Sequence, residues 1–362
     1  MTEKLLDPYE RLAETLNKIP NGFAKTEDGT HLKVLQWIYT PDEADIASKM
    51  KLKAETIEEF SSRLNPSIAG LPDKLENMVK KGQIYAIDSS SGRRYGIMPF
   101  IVGIYEEQME RMDPEFAQLI EEYFYKAESN NIFDTEPSIF RVIPINRVLN
   151  PELTIHTYEE AENIINEAKS WGVRECICKK QKSLLGKPCE YPTTVCLTLS
   201  SRENAYNHES LSKPVTKEMA LDILQDAEEA GLVHCTMNIQ SGHSYICNCC
   251  TCCCGILRSL TERNQPHAFV KANFIMSVDE ELCTGCATCV DRCQFDALDV
   301  PEEICEVDRQ RCVGCGVCAI VCPEDALSLI ARHPSEPEPP GTFNDWMTKK
   351  AISRQVNPSD LL

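Results

Sequence analysis

The sequence predicts a multidomain α+β protein, on three observations. Apolar residues recur at helical spacing through the first 80 residues and then give way to two short strand-like runs. A helix–strand pattern occurs twice between residues 157 and 270. Two cysteine runs of identical spacing, dotted with glycine and each preceded by a strand-like stretch, occupy residues 271–332. A length of 362 residues suits two or three domains.

Composition narrows the class. The net charge of −19 disfavours a general nucleic-acid binder and suits a protein that meets basic patches on its partners. There is no run of about 18 apolar residues, so no membrane span is expected. The start, Met1-Thr2-Glu3-Lys4-Leu5-Leu6, has no apolar leader. A cytoplasmic location is the expectation, and exposed thiolates there point to an anaerobic host. Twenty cysteines lie between residues 176 and 322, with none in the first 175 residues. A disulfide-rich secreted domain would be short and carry a leader.

Residues 1–106 read as five helices and a hairpin. The helices are expected at Pro8–Ile19, His31–Thr40 (stopped by Pro41), Asp42–Met50, Thr56–Leu64 and Leu71–Lys80. Ile84–Ile87 and Tyr95–Met98 then read as strands around Asp88-Ser89-Ser90-Ser91-Gly92. This order resembles a winged helix-turn-helix domain. The resemblance implies DNA binding, with Lys74, Lys80, Lys81, Arg93 and Arg94 as phosphate contacts. Residues 1–150 hold 18 basic against 25 acidic residues, a net of −7, so docking or dimerisation is the better-supported use.

Residues 107–156 read as a connector. Its helix Glu115–Glu128 carries an aromatic stripe (Phe116, Tyr123, Phe124) that suits a core, and Ile139–Ile143 suits a strand.

The middle region, 157–270, repeats itself. Thr157 leads through Ile164, Ile165, Ala168, Gly172 and Val173 to Cys176; Thr216 leads through Ile223, Leu224, Ala227, Gly231 and Leu232 to Cys235. In each, threonine caps a helix, glycine ends it and a strand delivers a cysteine. Two related units around a pseudo-two-fold axis are expected. Cys176, Cys178, Cys189 and Cys196 follow the first unit, among Lys179, Lys180, Lys182 and Lys187, whose charge would offset thiolates. Cys247, Cys249, Cys250, Cys252, Cys253 and Cys254 follow the second. If extended, Cys247, Cys249 and Cys253 share one face and Cys250, Cys252 and Cys254 the other; if helical, Cys249, Cys252 and Cys253 cluster. These ten cysteines suit two further clusters, one larger cluster bridged between the units, or thiol or soft-metal chemistry. Cys235, His234 and His243 are spare candidates, each histidine more simply structural.

The last two runs are Cys283, Cys286, Cys289, Cys293 and Cys312, Cys315, Cys318, Cys322, both Cys-x-x-Cys-x-x-Cys-x-x-x-Cys. Gly285, Gly314 and Gly316 permit tight loops, and the runs end alike in Phe295-Asp296-Ala297-Leu298 and Glu324-Asp325-Ala326-Leu327. Residues 272–332 resemble the bacterial two-cluster ferredoxin family. The resemblance implies two [4Fe–4S] clusters, with the fourth cysteine of each run crossing over. One cluster then takes Cys283, Cys286, Cys289 and Cys322, and the other Cys312, Cys315, Cys318 and Cys293. Apolar neighbours such as Ile320 and Val321 would keep water away. Gln294 stands where Pro323 stands in the second run, and is expected to alter hydrogen bonding near a cluster sulfur. Paired zinc sites share the Cys-x-x-Cys spacing but not this double run.

The whole chain resembles cysteine-rich ferredoxin-type proteins of anaerobes with a winged-helix-like N-terminus, a family that supplies architecture rather than a reaction. Pro334–Gly341 reads as an acidic extended linker opening a tail, 333–362, in which Trp346 and Met347 suit docking. Neither a dinucleotide fingerprint nor a Walker motif is present. The sequence therefore points to an electron-transfer protein with two [4Fe–4S] clusters and further cluster capacity, working with redox partner proteins as a subunit or as a homo-oligomer. The alternatives are a reductase or reductive activator centred on Cys247–Cys254, and a redox-responsive DNA-binding regulator.

Overall fold

The computed structural model describes residues 7–64, 67–90, 92–127, 135–150, 153, 155–207, 211–263, 265, 268–357 and 359. The chain forms two compact units, one of residues 1–135 with 347–362 and one of residues 136–346.

The first unit contains α1 (Pro8–Lys18), α2 (Thr30–Ile38), α3 (Pro41–Ala47), β1 (Glu55–Thr56), α4 (Ile57–Ser62), α5 (Leu71–Lys80), β2 (Tyr85–Ser89), β3 (Gly92–Gly96) and α6 (Pro114–Lys126). Helix starts follow the sequence because capping boxes set them: Asp7 with Glu10, Thr40 with Glu43, and Thr56 with Glu59. The three strands form an antiparallel sheet in the order β1-β3-β2. The hairpin closes on a Ser89–Gly92 pair, so β3 begins earlier than the expected Tyr95. The aromatic stripe of α6 is core: Phe116 stacks on Trp37 at 4.0 Å between ring centroids, and Tyr123 stacks on Phe23 at 5.0 Å. α6 therefore belongs to this unit rather than to a separate connector.

The second unit opens with β4 (Phe140–Val142), α7 (Ala161–Glu167), β5 (Ser170–Glu175), α8 (Ile177–Leu184) and β6 (Thr194–Ser200). It continues through β7 (Lys213–Val215), α9 (Lys217–Ala230), β8 (Val233–Met237), β9 (Tyr245–Cys249), α10 (Gly255–Thr261) and β10 (Phe269–Val270). Seven strands make one sheet in the order β10-β4-β8-β9-β6-β5-β7. β10 pairs in parallel with β4, and the other six strands are antiparallel and arranged in mirrored sequence. One unit of the repeat runs β4-α7-β5-β6 and the other β7-α9-β8-β9. Each gives its first strand to the other, β4 pairing with β8 and β7 with β5. The mirrored order is centred on the β6–β9 pair. Ile164 and Ile165 of α7 and Leu224 of α9 pack on Val173, Leu197 and Ile246 of the sheet.

The repeat is less regular than its sequence. Thr216 caps α9, and Gly231, at φ +91°, ends it. Thr157 instead opens a short 3-10 turn before α7, and Gly172 lies inside β5, where a Cβ would meet the Thr198 hydroxyl at 2.6 Å.

The rest of the second unit is β11 (Phe274–Val278), α11 (Thr288–Arg292), β12 (Leu298–Asp299), β13 (Glu306–Val307) and β14 (Leu327–Ala331). β11 pairs with β14, and β12 with β13, all antiparallel. Pro334–Gly341 is not a loose linker. Arg141 donates to the Pro337 carbonyl at 2.7 Å, and the Gln240 amide to the Pro340 carbonyl at 2.9 Å. The final helix, α12 (Phe343–Ser353), begins in the second unit and ends in the first. Trp346 is fully buried and donates to the Ser138 carbonyl. Further along, Arg354 closes on the backbone of the α1 C-terminus through the Ile19 carbonyl at 2.8 Å. No described helix is long and apolar enough to cross a membrane.

Candidate metal and electron-transfer centres

The two cysteine runs fold into matching loops because the same backbone signs recur in both. Gly285 and Gly314 take φ of +64° and +76°; Ala287 and Gly316, +61° and +86°; Asp296 and Asp325, +47° and +50°. Gly314 has no alternative: a Cβ there would lie 2.1 Å from the Phe274 carbonyl oxygen. The first loop wraps a cavity lined by Cys283, Cys286, Cys289, Cys305 and Cys322. Cys322 comes from the other run. In the second loop, burial pushes the Cys293, Cys315 and Cys318 thiols up, and each also lies close enough to Cys312 for that neighbour's charge to oppose its ionisation. Val313 and Val317 are the buried apolar neighbours here, while Ile320 and Val321 are only half-buried.

The middle-domain cysteines divide in a way neither an extended nor a helical reading of 247–254 anticipates. The chain leaves β9 after Cys249 and turns before α10. This sends Cys247, Cys249 and Cys254 one way and Cys250, Cys252 and Cys253 the other.

The first set closes a ring. Neighbouring thiols meet in the order Cys176, Cys178, Cys254, Cys249, Cys247, Cys196 and back to Cys176. Cys235 abuts the ring at Cys249. Both halves of the pseudo-symmetric sheet contribute, since Cys196 lies on β6 and Cys247 and Cys249 on β9. Cys176 and Cys254 occupy the N-cap positions of α8 and α10, where the Lys179 and Leu257 backbone amides favour the thiolate form of each. Hydrogen bonds from Cys178 and Cys196, with the Lys179 amide and charge, hold the Cys176 thiol well below its ordinary range. Hydrogen bonds with neighbouring thiols, and then burial, push Cys178, Cys196 and Cys247 up.

The second set is compact. Cys250, Cys252 and Cys253 meet Cys189, all four sulfurs lying within 4.8 Å of one another. Cys189 thus parts from Cys176, Cys178 and Cys196, its neighbours in sequence. The two spare histidines meet other side chains than the thiols: His234 Nδ1 lies 2.6 Å from Asn248 Oδ1, and His243 Nδ1 lies 3.1 Å from the Thr236 hydroxyl.

Residues 276–299 and 305–328 match the family model of the 4Fe-4S binding domain. The C-terminal segment is a 4Fe–4S ferredoxin domain. No curated protein and no solved structure matches the chain. Two tandem motifs in the ferredoxin domain support 4Fe–4S clusters, and with them a role in iron–sulfur electron transfer. The loops fit that group. The cysteines of the first loop surround a cavity with Cys322, and in both loops the positive-φ glycines let backbone approach where a side chain would intrude.

Gln294 does not face a cluster sulfur. Its side-chain oxygen accepts the Thr251 amide at 2.8 Å and its amino group donates to the Gly231 carbonyl. Arg292 donates to the Glu228 carbonyl at 3.1 Å beside it. The ferredoxin domain is thereby hydrogen-bonded to the turn that carries Cys250, Cys252 and Cys253.

Sequence reasoning missed Cys305. Its Sγ lies 3.5 Å from Cys289 Sγ, and its backbone amide donates to Cys283 Sγ at 3.4 Å. Burial and the Cys289 sulfur push the Cys305 thiol up to about 12, so it keeps its proton. Its one sequence signal was that it, like Cys235, stands outside every run.

Proposed function

We propose that the chain carries single electrons between a redox partner protein and the six-cysteine ring of the middle domain, as a subunit or partner of an oxidoreductase. In this reading one [4Fe–4S] cluster is held by Cys283, Cys286, Cys289 and Cys322, and the other by Cys312, Cys315, Cys318 and Cys293. The observation that carries it is the presence of Cys322 in the cavity of the first run. That crossover is the bacterial two-cluster arrangement.

The clusters supply one-electron couples whose potentials follow hydrogen bonding and exposure. The chain's own residues set a direction. Cys286 is exposed, so a partner reaches the first loop, whereas Cys312, Cys315 and Cys318 are buried. From Cys293 the chain passes directly to Gln294 and its hydrogen bond to Thr251. The middle-domain turn then leads to Cys249 and Cys254 of the ring. An additional iron–sulfur cluster on the ring completes the route. The winged-helix reading of the first unit draws support from the β1-β3-β2 sheet and the hairpin after α5, and a docking role follows from its charge.

Iron, acid-labile sulfide and EPR on anaerobically purified protein test the proposal. It expects about 12 or more irons per chain and reversible one-electron reduction. About 8 irons removes the ring cluster, and clusters that do not reduce and reoxidise reversibly sink the electron-transfer role. Turnover of a small molecule by the isolated reduced protein would favour the reductase reading instead.

A further inference from the structure

Sulfur spacing separates two kinds of site in this chain. Cys189 Sγ lies 3.6 Å from Cys250 Sγ and 3.8 Å from Cys252 Sγ, and Cys252 Sγ lies 3.6 Å from Cys253 Sγ. A single tetrahedral ion with metal–sulfur bonds of about 2.3 Å holds its ligand sulfurs about 3.8 Å apart. A cubane cannot, because each thiolate ends on a different iron and the core stands between them. Cys283, Cys286, Cys289 and Cys322 show that second case by lining a cavity. Among the described residues, no other set of three or more cysteines gathers this closely, the ring included. The spacing is also too long for a disulfide, whose sulfurs lie about 2.05 Å apart.

We propose that Cys189, Cys250, Cys252 and Cys253 bind one zinc ion and not an iron–sulfur cluster. Four thiolates in closed tetrahedral array are a structural zinc donor set, and the ion is redox-inert. Three ligands come from one turn and the fourth from the loop between α8 and β6, so the ion staples the two. Cys250 and Cys253 are buried against Val195, Ala227 and Leu232, while Cys252 is exposed and gives the ion an entry side. Stapling the turn has consequences on both sides. Cys249 and Cys254 flank it and face the ring, and Thr251 within it holds Gln294 of the ferredoxin domain. The zinc is a fixed support between two redox regions, and the inference stands independently of what the ring carries.

Zinc, iron and sulfide are measured together on anaerobically purified full-length protein, with zinc-edge X-ray absorption on the same sample. The expected result is about one zinc per chain with four sulfur neighbours at about 2.3 Å. Cys252→Ala, at the exposed ligand, is expected to lose that zinc and leave iron and sulfide unchanged; Cys189→Ala provides the same test from the other loop. Absence of zinc from the wild type, or fewer than four sulfur neighbours, overturns the assignment. So does retention of zinc in both variants. Loss of iron with equal sulfide would place a cubane there, and loss of iron without sulfide a single iron, each overturning zinc. Because the electron-transfer proposal is read from iron, sulfide and EPR, the two can fail separately.

Discussion

Gln294 and Thr251 join the ferredoxin domain to the cysteine-rich turn through a 2.8 Å hydrogen bond from the Thr251 amide to the Gln294 side-chain oxygen. The residue before Gln294 is Cys293, and those on either side of Thr251 are Cys250 and Cys252. Replacing Gln294 with alanine leaves a backbone donor and the Gly231 carbonyl without this partner, at about 1–3 kcal/mol. Hydrogen exchange at Thr251 is expected to quicken by roughly ten- to hundredfold, with the iron content of the ferredoxin domain unchanged. Exchange at the wild-type rate would show that the turn is held by other contacts.

Cys289 Sγ donates to Cys305 Sγ at 3.5 Å; a Cys289 that ligates a cluster has given up that proton, and the Cys305 thiol then becomes the donor of the pair. Such a donor stabilises the more negative, reduced state of a cluster bound through Cys289. Removing a bond of about 0.5–1.5 kcal/mol lowers a one-electron potential by about 20–60 mV. Cys305→Ala is expected to shift one EPR-detected potential downward by this amount without loss of iron. An unchanged potential removes the tuning role, and lost iron would make Cys305 a ligand.

The first unit is expected not to bind duplex DNA. Four of the five candidate phosphate contacts already meet carboxylates: Lys74 with Asp42, Lys81 with Glu43, Arg93 with Glu76 and Arg94 with Glu59. Breaking these pairs would oppose the counterion release that drives such binding. Fluorescence anisotropy with labelled duplex at low salt checks this, and salt-sensitive binding would contradict it.

Glu43 anchors the unit's interior. Burial raises its pKa, but hydrogen bonds from Lys81 (2.6 Å), the Thr40 amide and Gln83 outweigh that and leave it below the usual 4.5. A carboxylate lowered on folding contributes stability that is present above its unfolded pKa and lost as pH falls through the folded one. Glu43→Gln is therefore expected to destabilise this region at pH 7 by about 1–3 kcal/mol, with the deficit shrinking below about pH 4.5. Hydrogen exchange in α3, compared between variant and wild type across that range, reads it. A pH-independent deficit would assign the effect to packing.

The helices were legible wherever a local signal governed them. Capping boxes at Thr40 and Thr56, and the left-handed Gly231, mark ends that depend on a few neighbouring residues. Gly172, Thr157 and Gln294 misled for one reason: each has the local pattern of one role but is used for a contact with a distant segment, or lies in a strand that such a segment defines.

Taken alone, the sequence determined the three-cysteine loops of the ferredoxin domain, because residues that bind within one loop are constrained by spacing and by glycine. It also determined the helix–strand repeat, since amphipathic period and capping are short-range. Only the tertiary structure decided how the other cysteines divide. Cys196 and Cys247 meet through the pairing of β6 with β9, Cys189 reaches Cys250 across more than fifty residues, and Cys305 reaches Cys289 through a packed loop. Strand order and turn direction fix those meetings, and burial of the sheet's apolar face selects the strand order.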